Sequence, residues 1–496
     1  MATSYADLFP PPVYNESLPN GGNPLEMDVN AVFQGYEYHY VFQVIMGCLV
    51  FLIVPGIGLL YGGMARRKSA LAMIFQSIIV MAVVSFQWMF WGFSIAFSRT
   101  GGPFIGDLSA FGLRNVLAAP SFGSAVLPDI VFCFYELMFA ACATMIVVGG
   151  SFERGRIVPS ILFSFIWCTI AYCPIAFWTW NPNGWLFKFG ALDFAGGGPV
   201  HISSGSAGLA YALLLGKRSK YGEKTFYKPH NVTIVFLGTV LIWFGWFGFN
   251  GGSALNASVR SMVAIYNTNT AASTGVLGWT LFGYIRHKRK FSVIGACEGA
   301  IAGLVGVTPA AGYVSVWAAA AIGFITAIVI CCFENVNEWL GIDDGLEVFK
   351  LHGIGGMVGA FLTGCFASAS VSSLDGIPTI ASGAIDGNGV QIGRQLAEIC
   401  AIASYSFTVS FLVLLIMKYI PGLHLRVTDE VEMIGYDVYQ FNDEIVGEWA
   451  LFESTDEKPK GDVTHGVEVD EHHQHGPSSS TSTQAEKIEE APNAKV

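Results

Sequence analysis

Apolar residues come in long blocks along most of this chain, separated by short polar or charged connections. The blocks run about 18–25 residues, the length a helix needs to cross a hydrocarbon core. Eleven such blocks are predicted, at roughly 39–62, 71–98, 128–150, 159–178, 199–216, 231–250, 259–284, 292–308, 313–333, 347–368 and 391–419. Residues 1–38 precede them as a polar tail. After about 421 the pattern changes: 421–454 mixes charged and apolar positions and is expected to dock on the connections between blocks. From 455 to 496 the chain is acidic, rich in Ser and Thr, and expected to be disordered. The fold class that follows is an all-α polytopic membrane protein with its transport domain at 39–420.

Composition agrees with this reading. The 496 residues are 53% hydrophobic and only 13% charged, and a soluble chain of that length needs more charge on its surface. Fifty-eight glycines suit membrane helices that pack at close range. The formal charge of −11 sits mostly in the two tails. No basic patch interleaved with aromatics is present, which argues against a nucleic-acid partner. The ten cysteines fall mostly inside apolar blocks, as small buried residues do, and give no disulfide framework. Cys331 and Cys332, near a block end, suit packing better than acylation. No Lys or Arg precedes Arg66, so a cleaved signal peptide is not expected.

Basic residues set the orientation. One set of alternate loops carries Arg66, Arg67 and Lys68, then Arg154 and Arg156, then Lys217, Arg218, Lys220, Lys224 and Lys228, then Arg286, Lys288, Arg289 and Lys290. The other set has little beyond Arg99, Arg114, Lys188, Arg260 and Arg394. The first set is therefore expected to be cytoplasmic, with the N-terminus outside and the C-terminus inside. Asn15 and Asn256 then head acceptor sequons on the outer face, Asn15 the better placed, while Asn231 lies at an inner helix end. In the tail, His465, His472, His473 and His475 suit a solvated segment better than a metal site.

Two histidines lie inside apolar blocks. His201 follows Gly198-Pro199-Val200, and His352 precedes Gly353-Ile354-Gly355-Gly356. They fall in the fifth and tenth blocks, which run in opposite directions, and each has glycine four and seven residues later. That echo suggests two inverted five-helix repeats, plus an eleventh helix, meeting at a central site. An imidazole gives or takes a proton near neutral pH and stays neutral at little cost in lipid. The pair therefore reads either as lining for a small polar solute or as plain interhelical hydrogen bonding.

An aromatic set is the second candidate. Tyr135 and Phe139 share a helix face at i, i+4. Trp180 follows the fourth block, and Trp246, Asn250 and Ser253 share a face at the end of the sixth. Tryptophan faces attract cations and a serine hydroxyl accepts an N–H; an interfacial aromatic belt accounts for the same residues. Asp193 is placed to cap backbone N–H groups at the start of the fifth helix.

In four segments the chain resembles the ammonium transporter/methylammonium permease/Rhesus family, and its tails resemble the fungal branch. These are Gly56-Ile57-Gly58-Leu59-Leu60-Tyr61-Gly62-Gly63, Leu192-Asp193-Phe194-Ala195-Gly196-Gly197, Trp246 to Ala254, and Ala302 to Ala310. The resemblance covers about residues 40 to 440 and implies a homotrimer with a pore through each subunit, no catalytic centre, no cofactor and no metal. It implies that Trp180 and Ser253, with Trp246 beside them, recruit ammonium, that Tyr135 and Phe139 form a stacked gate, and that His201 and His352 form a twin-histidine pair. Asp193 matches the family aspartate that supports recruitment. Glu136 stands where the family commonly has Gln, and Glu298 where it has a small hydroxyl residue.

These readings together predict plasma-membrane transport of ammonium or methylammonium: NH4+ bound outside, deprotonated, and passed as NH3 with separate proton transfer. A sensor role is compatible with that transport. A passive Rhesus-type ammonia or carbon dioxide channel is the alternative. An amino-acid carrier needs room for a carboxylate, and a metalloenzyme needs acidic or cysteine ligands beside the histidines; neither is evident. Ser454 and Thr455, beside Asp456 and Glu457, are candidate phosphoacceptors, with a kinase or other regulatory protein the expected tail partner.

Overall fold

The structure, a computed structural model, describes residues 13–14, 33–222, 227–376 and 380–441. Asn15, Ser454, Thr455 and the tail histidines lie outside the described residues. All regular elements among the described residues are helical. We number the long helices α1 (Glu37–Met64), α2 (Arg67–Phe97), α3 (Asp129–Ser151), α4 (Ile157–Phe189), α5 (Gly197–Ile202 running into Ser203–Leu215), α6 (Val232–Gly252), α7 (Val259–Arg286), α8 (Val293–Val307), α9 (Val316–Cys332), α10 (Phe349–Phe366) and α11 (Val390–Tyr419).

Six of these, α1 to α4, α6 and α11, are long and apolar enough to cross a membrane. A seventh joins them if α10 and the segment Ala369–Asp375, bent by 98°, count as one span. The other helices fall short for physical reasons. α7 carries Asn267, Thr268, Asn269, Thr270, Ser273 and Thr274, but its buried polar groups serve neighbouring segments: Asn267 donates to the carbonyls of Ala311 and Val314, each at 2.8 Å. α8 has only 15 residues, about 22 Å of rise. Helices sheathed by other helices do not need apolar surfaces of their own.

Consecutive connections gather on opposite faces. On one face the loop after α2 meets the break in α4 at 181–184, through Asn181 Nδ2 to Ser98 O and Asn183 Nδ2 to Arg99 O, both 3.0 Å. There too Arg260 bonds Gly312 O (2.9 Å) and pairs with Asp375 (2.8 Å). Asn256 is buried in the turn between α6 and α7. Asn231, at the other face, accepts from Ile234 N and caps α6.

That other face is a charged lattice. Glu153 takes Arg66 at 3.1 Å and Arg218 at 2.6 Å, and Arg218 also reaches Asp343 at 2.8 Å. Burial pushes the Asp343 carboxyl up, but the Arg218 hydrogen bonds and charge outweigh it, and the net shift is down. Arg154, wholly buried, donates to the carbonyls of Gly216, Phe152 and Asp343. The segment after α11 lies across this lattice. Val427 N bonds Arg154 O, Glu432 accepts from Ser219 N at 2.8 Å, and the Asp437 carboxylate caps α2 through the N–H groups of Leu71 and Ala72.

Close packing depends on glycine at particular contacts. A Cβ at Gly303 would overlap the Ala271 carbonyl of α7, and one at Gly205 in α5 would overlap the backbone of Gly353 in α10. The second contact brings together the two helices that carry the histidines.

Candidate functional site

Helices α5 and α10 both open with a π turn, Gly197–Ile202 and Phe349–Ile354. Such turns are uncommon and recur at functional sites. Each holds its histidine. Because Gly205 and Gly353 let the two helices touch, the imidazoles meet: His201 Nδ1 and His352 Nδ1 are 3.2 Å apart, with ring centroids at 5.3 Å. Two Nδ1 atoms at this distance share one hydrogen, so the rings hold opposite tautomers. His201 Nε2 is buried with no hydrogen-bond partner.

From this pair a column of rings leads toward the face that carries Ser253. Trp246 stacks on His201 at 5.3 Å with an interplanar angle of 9° and donates its Nε1–H to Thr308 Oγ1 at 2.9 Å. Phe249, next on α6, stacks on Phe139 of α3 at 3.9 Å and 19°. Trp180, at the end of the Cys173–Trp180 stretch of α4, presents its edge to Phe139 at 6.0 Å and donates to Asp193 O. Ser253 caps α6, with its Oγ 3.3 Å from the Tyr135 hydroxyl and donating to Phe249 O at 2.8 Å.

Two expectations change here. The stacked aromatic pair is Phe139 with Phe249, not Phe139 with Tyr135, whose ring is tilted by 52° to Phe139 and whose hydroxyl donates to Phe249 O at 2.7 Å. Residues at i, i+4 on one helix lie side by side along its face, so a parallel stack is supplied more readily from across the gap, by α6. Trp246 is also displaced from its expected place beside Ser253. Seven residues of helix put it about 10 Å deeper, fully buried against His201. Asn250, between them, donates to Thr268 Oγ1 at 2.8 Å and ties α6 to α7.

Asp193 lies in the turn before α5. Its Oδ1 accepts from Gly196 N and Gly197 N, and its Oδ2 from Gly198 N, at 2.7–2.8 Å. Those amides are ones that helix geometry leaves without an internal acceptor. Gly196 has φ of 106°, a conformation that favours glycine, and it turns the chain into the π segment. Asp193 therefore fixes the backbone that positions His201 and, through its carbonyl, the Trp180 ring. No group of three metal-ligating side chains is assembled among the described residues.

A profile of the Ammonium Transporter Family matches residues 41–445. The chain belongs to this family. The ammonium transporter MEP2 of Saccharomyces cerevisiae is 47% identical over 442 residues, covering 88% of this chain and 87% of that protein. Ammonium transporter 1 of Schizosaccharomyces pombe is 45% identical over 491 residues, covering 98% and 95%. The crystal structure of Mep2 from Candida albicans superposes with a TM-score of 0.80 at 45% identity, covering 89% of this chain and 95% of that one. These relatives place the chain in the fungal branch of the Ammonium Transporter Family.

The two membrane-depth acids singled out in the sequence, Glu136 and Glu298, are in different settings. Glu136 is buried beside Tyr135 with its Oε2 unpartnered. Glu298, on α8, lines a cavity of about 370 Å³ with Lys350, Glu347, Glu334 and His287. Three residues of this site escaped the sequence reading. Phe249 is one of 38 phenylalanines, and Thr308 gives no sign of bonding an indole. Glu398 on α11 sits with Gln391 and Gln395 at helical spacing in an apolar block, a signal that was legible.

Proposed function

We propose that this chain carries ammonium across the plasma membrane, as an eleven-span permease with its N-terminus outside and its C-terminus in the cytoplasm, assembled as a homotrimer with one pore per subunit. The observation that carries the proposal is the pair of imidazoles 3.2 Å apart at the inner end of an aromatic column. In this reading NH4+ binds against Trp180, Tyr135 and Ser253, where ring faces attract a cation and hydroxyl oxygens accept its hydrogens.

Passage beyond that point needs deprotonation. A charge at mid-bilayer depth costs about 2.5–3.5 kcal/mol on insertion scales, and the Phe139–Phe249 stack offers no compensating dipoles. Ammonia crosses uncharged. The buried, unpartnered His201 Nε2 is available to hydrogen-bond it. A proton taken up at Nε2 of one ring lets that ring pass its Nδ1 hydrogen to the other, which releases its own Nε2 hydrogen, so one proton crosses as the rings exchange tautomers. Net transport is then electrogenic. Potassium has no proton to lose and is rejected.

In proteoliposomes, methylammonium is expected to evoke a current that saturates with concentration. Flux that is electroneutral and linear in concentration would favour the Rhesus-type gas channel instead. The docked segment after α11 is read as a regulator that reports the state of the inner loops, with Ser454 and Thr455 beyond it as phosphoacceptors. Truncation after Ile420 removes the Asp437 cap and the Glu432 contacts. It is expected to change the ammonium current severalfold at equal surface expression, and wild-type current would count against the regulatory reading.

A further inference from the structure

Asp193 has a partner that neither its helix nor its loop supplies. The inner stripe of α11 runs Gln391, Gln395, Glu398, Ile402, Ser406 and Ser410, all buried. Most of its polar members grip the stretch of chain that leads into α5. Gln391 Nε2 donates to Gly190 O at 2.9 Å; Gln395 accepts from Leu192 N at 2.7 Å and donates to Leu192 O at 2.8 Å; Ser406 donates to Ser203 O at 2.6 Å. Glu398 sits in the middle of this clamp. Its Oε2 accepts from Gln395 Nε2 at 2.8 Å, while its Oε1 has no N–H or O–H donor.

What Oε1 faces instead is the other carboxyl group. Glu398 Oε1 and Asp193 Oδ2 flank one point, 2.8 and 3.3 Å from where a Cβ on Gly198 would stand. Among the described residues no cation pairs with them. Arg260 is committed to Asp375 and Gly312 O, Arg394 bonds Gln391 one turn away, and Tyr313 brings only a phenol. Two buried carboxylates that crowd one point disfavour each other's charge, and one proton between them removes the conflict. The amides decide which group keeps the charge: three N–H groups point at Asp193 and one side-chain amide at Glu398.

We propose that Glu398 is protonated at neutral pH and donates its O–H to Asp193 Oδ2, forming an acid–carboxylate pair with a single negative charge that holds the opening turn of α5. The proton makes Glu398 a positioning residue: it touches no substrate, and it acts by orienting Asp193. The single charge lies at the amino end of α5, where helix amides stabilise it, behind the Trp180 ring that Asp193 O holds. This inference rests on the recruitment reading of Asp193 given above only for its effect on transport.

The test joins spectroscopy to transport on the full chain. The infrared difference between wild type and Glu398→Gln at neutral pH is expected to show loss of a protonated-carboxyl C=O band; loss of carboxylate bands in its place overturns the proposal. Glu398→Leu removes one contact each from Asp193 Oδ2 and Gln395 Nε2 and is expected to lower methylammonium current at least about tenfold. Glu398→Gln, which still donates an N–H, is expected to recover most of that loss with the pH profile of the current unmoved. A Gln variant as weak as the Leu variant, or one whose pH profile shifts, contradicts a protonated Glu398. If the C=O band is lost in Glu398→Gln while Asp193→Ala transports normally, the pair stands and the recruitment reading of Asp193 falls.

Discussion

His201→Ala and His352→Ala are each expected to lose the greater part of the ammonium current, and neither is expected to keep the wild-type preference for ammonium over potassium. The imidazoles share one hydrogen at 3.2 Å, so removing either ring strands the other with a buried nitrogen that has lost its partner. A stranded polar group costs about 1–3 kcal/mol, or roughly 5- to 150-fold in rate if the cost falls on the crossing step. His201→Ala also removes the ring on which Trp246 stacks, and the vacated volume admits water. Water softens the barrier that rejects intact cations, which is why selectivity and flux change together. Voltage-clamp recordings of both variants at matched expression check this, and unchanged flux and selectivity in both would sink the histidine assignment.

Asp193→Ala has the second large effect, by a different route. The carboxylate occupies the amides of Gly196, Gly197 and Gly198. Its removal leaves three buried N–H groups without acceptors, at about 1–3 kcal/mol each. The π turn that presents His201 loses its anchor, and the Trp180 ring loses its fixed position through the same backbone. Current is expected to fall more than about tenfold. A thermal-unfolding scan in detergent is expected to show a lowered midpoint, which separates this variant from His352→Ala, whose ring is not part of a helix cap. Normal current with normal stability in Asp193→Ala would remove the aspartate from the account.

The residues that announced themselves in the sequence are those whose chemistry is out of place in an apolar block. His201 and His352 stood out because few membrane helices carry imidazole, and Asp193 because an acid before Gly196-Gly197-Gly198 has N–H groups to cap. Distances across helices were not legible. The Phe139–Phe249 stack joins α3 to α6, and pattern within one helix favoured Tyr135 as the partner. Trp246 shares a face with Ser253, but spacing along a face says nothing about which end meets solvent; about 10 Å of rise separates them. The π turns that hold both histidines were not legible in the sequence, and neither was the close approach of α5 and α10 at Gly205 and Gly353. Glu398 was overlooked because its block served only as a span.

Alternate loops gathering on opposite faces follow from the placement of Arg66, Arg154 and Arg218, basic residues that also build the lattice under the docked tail. Here one feature of the sequence carries two consequences. The basic residues from which orientation is predicted also supply the partners for Glu153 and Asp343.

The most direct test of the central claim is a comparison of ammonium and potassium in proteoliposomes holding wild-type protein at equal driving force. The account predicts a saturable inward current with ammonium and none above the protein-free background with potassium, because only ammonium sheds its charge before the aromatic stack. A potassium current of similar size would mean that intact cations cross, and would contradict it.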